Sequence, residues 1–356
     1  EEIDNVGLRM RGQFSMRVSG LKKPWKFDID YYVDGQEFHN LKQLMFINNV
    51  GDPSMMREIL TYDMLRFAGV NASHACFVEF WIDFTDDDQP AIFWGIYTMI
   101  ERVDRKFLAS RFGQDYRHGN LYKASHAQRG PMDLIYYGPT IEAFPTQNGM
   151  YAYGKITNEE EADYSDIVYL TYIIDGVDYE TPDDFARALE QVFNVDSFLR
   201  YMAVMVTVSS WDIYPYTGNN FYLYNNPETG QFEWIPWDLT WGDNPQFPLF
   251  ELEGEGLIER APLYDHVFEV ERYRIQYAAY LDLLARYWFN GDHIGQEAQR
   301  YYQLIAPRLS QATGDKMYYG ETPMFSPQAF QDSWIEIAQF AQQRSAYILE
   351  VLSSLY

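Results

Sequence analysis

Hydrophobic periodicity passes from mainly strand-like to mainly helical along this chain, and that shift restricts the folds open to it. Near the start, Leu8, Met10, Gly12 and Phe14 alternate with Arg9, Arg11 and Gln13, and Trp25, Phe27 and Ile29 alternate with Lys26, Asp28 and Asp30. A period of two is what a half-buried strand requires. Val33-Asp34-Gly35 marks a turn after the second strand. Residues 75–84 and 91–100 read as two further apolar strands joined by the acidic tip Asp86-Asp87-Asp88-Gln89-Pro90. One helix interrupts them, with Asp52 as its N-cap, Pro53 in the first helical position, an apolar face of Met56, Ile59, Leu60, Met64 and Phe67, and Gly69 closing it. Residues 126–165 loosen into Gly, Pro, Asn and Tyr and end in Glu159-Glu160-Glu161, which reads as a linker or insertion. From 166 to 356 the spacing is mostly helical. Phe198, Leu199, Met202 and Val206 follow an Asp196 cap, and residues 273–288 and 333–352 keep the same period. The expectation is an α+β chain with a strand-rich N-lobe over 1–125 and a mainly helical C-lobe over 166–356.

Composition excludes several function classes. A formal charge of −25 repels nucleic acid and anionic membranes, so neither is an expected partner. No apolar run approaches the roughly 20 residues needed to span a bilayer. The single cysteine, Cys76, rules out an intramolecular disulfide and a thiolate zinc site, and its apolar surroundings predict a core position. The histidines are scattered without an i, i+4 pair, and no glycine-rich phosphate loop is present. The chain starts at Glu1 and not Met, so an N-terminal segment, a signal peptide being one option, is expected to have been removed or to lie outside it; with few lysines and many aromatics we expect an exported, cell-surface or coat protein over a cytosolic one.

The mainly helical part is broken by one hairpin, and chemistry-bearing residues flank it. Trp211-Asp212 and Asn219-Asn220 precede a strand over 221–224, a turn over 226–230 leads to a strand over 232–235, and Pro236-Trp237-Asp238 follows. With the turn centred near residue 228, antiparallel pairing sets Asn220 opposite Pro236 and close to Asp238, and brings Asp212 to the same end. Oxygen ligands gathered in this way suit a hard divalent cation whose shell phosphate oxygens complete. A carboxylate for an acceptor hydroxyl, an amide, a hairpin and a second carboxylate is also the order used for phosphoryl transfer. Each residue alone reads more readily as turn or cap chemistry, but carboxylates crowded at one hairpin end need a reason to tolerate their repulsion.

A second asymmetry lies near the start. Arg9, Arg11, Arg17, Lys22, Lys23 and Lys26 fall within eighteen positions that hold no acid, in a chain with 52 acids and 27 bases. Either they line a solvated strand edge or they compensate polyphosphate. Glu101 ends the apolar strand, where a basic partner or solvent must satisfy it.

These residues carry a resemblance. Arg9-Met10-Arg11-Gly12, Leu21 through Phe27, Asp52 through Arg57, Gly95-Ile96-Tyr97 with Glu101 and Asp104, Trp211-Asp212 with Asn220 through Tyr224, and Ile235-Pro236-Trp237-Asp238 with Trp241-Gly242 stand in the order of the CotH family of atypical kinases, which the chain resembles over most of its length. The resemblance implies a two-lobed, divergent protein-kinase-like fold. It also implies ATP with Mg²⁺ or Mn²⁺, Ca²⁺ being a further option, and transfer of the γ-phosphate to Ser or Thr hydroxyls of a protein substrate such as a coat or cell-surface protein. By position, Asp212 matches the catalytic-loop Asp, and Asn220 and Asp238 match the metal ligands. Lys22 matches a phosphate-facing Lys, Glu101 the acid able to pair with it, and Arg11 a further phosphate contact.

Two departures keep alternatives open. Asp212 and Asn220 are eight positions apart, more than the family spacing, and Asn219 stands where His is common, so either Asn can be the ligand. Pro24-Trp25 replaces a small residue and Tyr, which leaves Lys22, Lys23 and Lys26 as candidates for the phosphate contact. Two other functions compete: a catalytically silent structural or interaction protein on the same fold, and a carbohydrate-active or glycan-binding protein, suggested by 30 Tyr, 9 Trp and many carboxylates.

Overall fold

The computed structural model describes residues 2–12, 14–17, 22–83, 90–252, 258–311 and 325–355. Helix and antiparallel sheet are mixed, and the chain divides into two compact units. The first comprises Glu1–Leu60, Ser73–Val103 and Gly291–Ala341, and the second Thr61–Ala72, Asp104–Asn290 and Gln342–Tyr356. No helix among the described residues is long and apolar enough to cross a membrane.

The first unit is built on β1 (Gly7–Met10), β2 (Trp25–Asp28), β3 (Gln43–Ile47), β4 (Ala75–Ile82) and β5 (Ile92–Ile100), ordered β1-β2-β3-β5-β4. On one side Ile29, Leu44, Phe46 and Tyr97 form a buried cluster. On the other, Met55, Phe93 and Ile96 pack with Ile305, Leu309 and Phe330. Phe93 and Ile96 are three residues apart, so they share a face only because a bulge between Phe80 and Trp81 shifts the register there. The helix Gly291–Gln311 and the start of the helix Pro327–Ser353 therefore cover this sheet from far along the chain. Phe77 meets Tyr301 at 5.5 Å, and Arg308 pairs with Glu79 at 2.6 Å.

Several local expectations are corrected here. The first strand stops at Met10 instead of running to Phe14, because Gly12 turns left-handed at φ 79° and Phe14–Arg17 forms a helical turn. Its apolar side chains are exposed, Leu8 at 57% and Met10 at 46%. The helix expected from Asp52 begins at Arg57. Asp52 still organises its entry, accepting from the amides of Ser54 and Arg57 at 3.0 Å, but left-handed Met55 delays the helical backbone. Cys76 is exposed on β4 and not in the core. The acidic tip at 86–89 lies outside the described residues.

The second unit carries β6 (Leu121–Ala124), β7 (Thr146–Gln147), β8 (Met150–Tyr151), β9 (Tyr153–Lys155), β10 (Phe221–Asn226) and β11 (Gln231–Pro236). Four of them form an antiparallel sheet in the order β11-β10-β6-β9, and β7 pairs with β8. Residues 126–165 thus contribute a strand to this sheet and bury Met132, Leu134 and Tyr153. The helix Val195–Thr207 packs Phe198 and Tyr201 against Trp234 of β11, with ring centroids 4.9 and 5.3 Å apart. Its cap is Asn194, which accepts from the Ser197 amide, and not Asp196, which instead pairs with Arg200 at 2.7 Å.

Candidate functional site

The hairpin β10–β11 joins Asn226 to Gln231 through a four-residue turn, so facing residues sum to 457 and Phe221 faces Pro236. The expected register was one residue off because an even-numbered turn cannot centre on residue 228. The consequence is small. Asn220 stands opposite Trp237, whose amide donates to its carbonyl at 3.0 Å, and Asp238 follows at once.

Eight positions separate Asp212 from Asn220, and the fold absorbs them in one helical turn, Tyr214–Thr217, closed by left-handed Gly218. Asn220 thereby returns to Asp212 and donates through Nδ2 to its backbone carbonyl at 3.1 Å. Asn220 is 6% exposed, and its Oδ1 accepts no hydrogen bond from a described residue. Asn219 differs, since its Oδ1 accepts from the His126 amide at 3.1 Å. Asn220 and Asp238 both have left-handed backbones, φ 65° and 54°. Such conformations suit short polar residues, and their surroundings must hold them in place.

The charges around Asp212 follow from this geometry. Burial pushes the Asp212 carboxyl above the ordinary carboxylate range, and the neighbouring charge of Asp238 pushes it the same way. Hydrogen bonds from Thr217 and Asn220, with the charge of His126, pull it back. The structure therefore brings Asp212, Asn220 and Asp238 together.

The loops leading to and from the two carboxylates are laced to each other. Gly242 N donates to Val208 O at 3.1 Å, and Ser209 Oγ donates to Asn244 O at 2.7 Å. A Cβ on Gly242 would lie 2.1 Å from the Ser209 carbonyl oxygen, so only glycine permits this approach. The buried guanidinium of Arg344 donates to the carbonyls of Val206, Thr207, Pro245 and Phe247, at 2.8, 3.3, 3.1 and 2.6 Å. Sequence reasoning missed these braces. Gly242 belonged to a motif but had no assigned partner, and Arg344 lies 97 to 138 positions from the helix end and loop it ties.

The remaining expected residues lie in the first unit. Arg11 N donates to Pro24 O at 3.0 Å, which places Arg11 beside the basic segment. Of the three candidate lysines, Lys26 pairs with Asp28 at 2.9 Å and Lys23 donates to the Met16 carbonyl at 3.1 Å. Lys22 is 3% exposed, with its ammonium 5.1 Å from the Tyr97 ring centroid and no ion pair to a described carboxylate. Burial pushes its pKa down to about 7. Glu101 does not pair with Lys22; its carboxylate accepts from the His74 amide at 3.0 Å.

Comparison with known proteins identifies the family. The sequence model of the family described as CotH kinase protein matches residues 8–348. Inner spore coat protein H of Bacillus subtilis is 24% identical over 305 residues, which span 85% of this chain and 77% of that protein. Invasin CotH7 of Rhizopus delemar is 26% identical over 164 residues, 46% of this chain and 24% of the invasin. With the family match extending over nearly all residues, the chain belongs to the CotH family.

Proposed function

We propose that this chain transfers the γ-phosphate of ATP, held with Mg²⁺ or Mn²⁺, to Ser or Thr hydroxyls of a protein. The observation that carries this reading is the meeting of Asp212, Asn220 and Asp238 at the open end of one hairpin.

The donor set suits a metal that arrives with its nucleotide. Among the described residues no group of three His, Cys, Asp or Glu side chains could enclose a metal alone. Carboxylate and amide oxygens leave coordination positions for phosphate oxygens, the usual mode for Mg²⁺. When bound, the cation would neutralise charge on the transferring phosphoryl group. Asp238 and Asn220 Oδ1 would hold it. Asp212, held by Thr217 and Asn220, would orient the acceptor hydroxyl and take its proton. Lys22 would contact phosphate, because a buried ammonium with an aromatic ring but no described carboxylate beside it gains most from an arriving anion. Arg11 would be a further contact. Catalysis of this kind rests on positioning and charge neutralisation more than on covalent chemistry.

A divergent, two-lobed kinase-like architecture is part of this proposal. So is an exported or coat location with a coat or surface protein as substrate, supported by the names of the two relatives. Incubation with γ-labelled ATP and Mg²⁺ or Mn²⁺ tests the function. Labelled Ser or Thr in wild type and its loss in Asp238→Ala are expected, whereas labelling that survives in the variant removes the reading.

A further inference from the structure

Beyond the expected residues, the sheet face that carries Tyr222 of β10 holds two cations with no assigned role. Register places Lys123 of β6 directly across from Tyr222 of β10, so the two side chains share one face of the sheet. Lys123 Nζ lies 5.2 Å from the centroid of the Tyr222 ring and 5.2 Å from that of Trp237, the residue before Asp238. The two rings are buried and Lys123 is half-buried, so the ammonium is partly desolvated and held by ring faces instead of a counter-ion.

Across β6 from Tyr222, Lys123 faces Gly154 of β9. Arg129 occupies the space that glycine leaves, with Nε 2.9 Å from where a Cβ at 154 would stand. Its hydrogen bond is to the Tyr151 carbonyl at 3.4 Å. Neither Lys123 nor Arg129 forms an ion pair with a described carboxylate. In a chain with 52 acids and 27 bases, a cation with a purely structural role would readily find a carboxylate. Two that do not, adjacent on one sheet face with Lys123 beside the Trp237 ring that precedes Asp238, are placed for an anion from outside.

We propose that Lys123 and Arg129 form a phosphate-binding pair on this face. An ammonium acting as a point charge and a guanidinium offering a planar fork match the oxygens of a phosphoryl group. Resting on the phosphotransferase reading, the phosphate has two sources: the nucleotide, or the phosphorylated product before it leaves.

The test titrates the full-length chain with MgATP, tripolyphosphate, O-phosphoserine and adenosine, followed by calorimetry and by tryptophan fluorescence, to which Trp237 contributes. Variants are Lys123→Met, Lys123→Arg and Gly154→Ala, the last displacing Arg129 without removing charge. Lys123→Met should weaken MgATP about tenfold or more if the nucleotide is the source, or O-phosphoserine by as much if the product is, with Lys123→Arg within about threefold of wild type. Gly154→Ala should fall between them, and adenosine affinity should not change. Should wild type bind tripolyphosphate or O-phosphoserine but not MgATP, and Lys123→Met weaken that binding, the phosphotransferase reading falls and this site stands. If wild type binds MgATP and all three variants bind every phosphate compound within about twofold of it, the site is overturned and the phosphotransferase reading stands. A wild type that binds no phosphate compound overturns both.

Discussion

Asn220 ties the two halves of the acidic cluster together: its side chain donates to the Asp212 carbonyl at 3.1 Å, and its own carbonyl accepts from the amide that precedes Asp238. Replacing Asn220 by Ala removes both the brace and the amide oxygen. Phosphotransfer should fall by about a hundredfold or more, the scale for loss of one preorganised polar group. Single-turnover rates over a range of Mg²⁺ concentrations check this, and a variant with unchanged rate and metal dependence would contradict it.

Asp212 is costly to the resting fold. Burial and Asp238 raise its folded pKa above the unfolded value, so its favourable contribution is fully present below the unfolded pKa near 4 and is lost as pH rises through the folded value. Asp212→Asn should therefore raise the melting temperature at pH 7 by about 1–3 °C while abolishing turnover, with the gain shrinking toward pH 4. Thermal melts from pH 4 to 8 supply the comparison.

Lys22 behaves in the opposite sense. Its folded pKa is about 7, below the unfolded value, so the unfolded chain binds more protons between about pH 7 and the ordinary lysine range, and stability rises with pH across that window. Lys22→Met should stabilise the protein most below pH 7, and the difference should close at high pH. An arriving phosphate raises the lysine pKa again, so nucleotide binding at pH 8 should take up close to one proton. Calorimetry in buffers of different ionisation heat measures that uptake, and Lys22→Met should abolish it.

Gly242→Ala places a methyl group against the Ser209 carbonyl and forces apart the loops leading to Asp212 and Asp238. Denaturant titration should show a loss of about 1–3 kcal/mol, the range for overpacking against atoms that cannot yield. Activity should fall beyond what the unfolded fraction explains.

Local chemistry was legible in the sequence where it depended on near neighbours. Hairpin arithmetic brought Asp212, Asn220 and Asp238 to one end even though the register was off by one, because a single step along a strand moves a residue by only about 3.3 Å. Asp52 was found as a capping residue, but a left-handed Met55 has no sequence signature and delayed the helix. What could not be read was non-local. The helix over 291–311 is clear from its period, yet nothing in it names the sheet it covers. Lys123 sits about a hundred residues before the strand it faces, so its place beside Trp237 emerges only once β6 is known to pair with β10. Lys22 stood out from Lys23 and Lys26 only when the partners of those two were seen.

The central claim is that Asp238 and Asn220 hold a divalent cation against the phosphates of a nucleotide. Electron paramagnetic resonance of Mn²⁺ titrated with the protein in the presence of ATP measures this directly. Loss of the free-ion signal with wild type and little loss with Asp238→Ala is the predicted result; equal loss with both proteins, or none with either, would contradict the account.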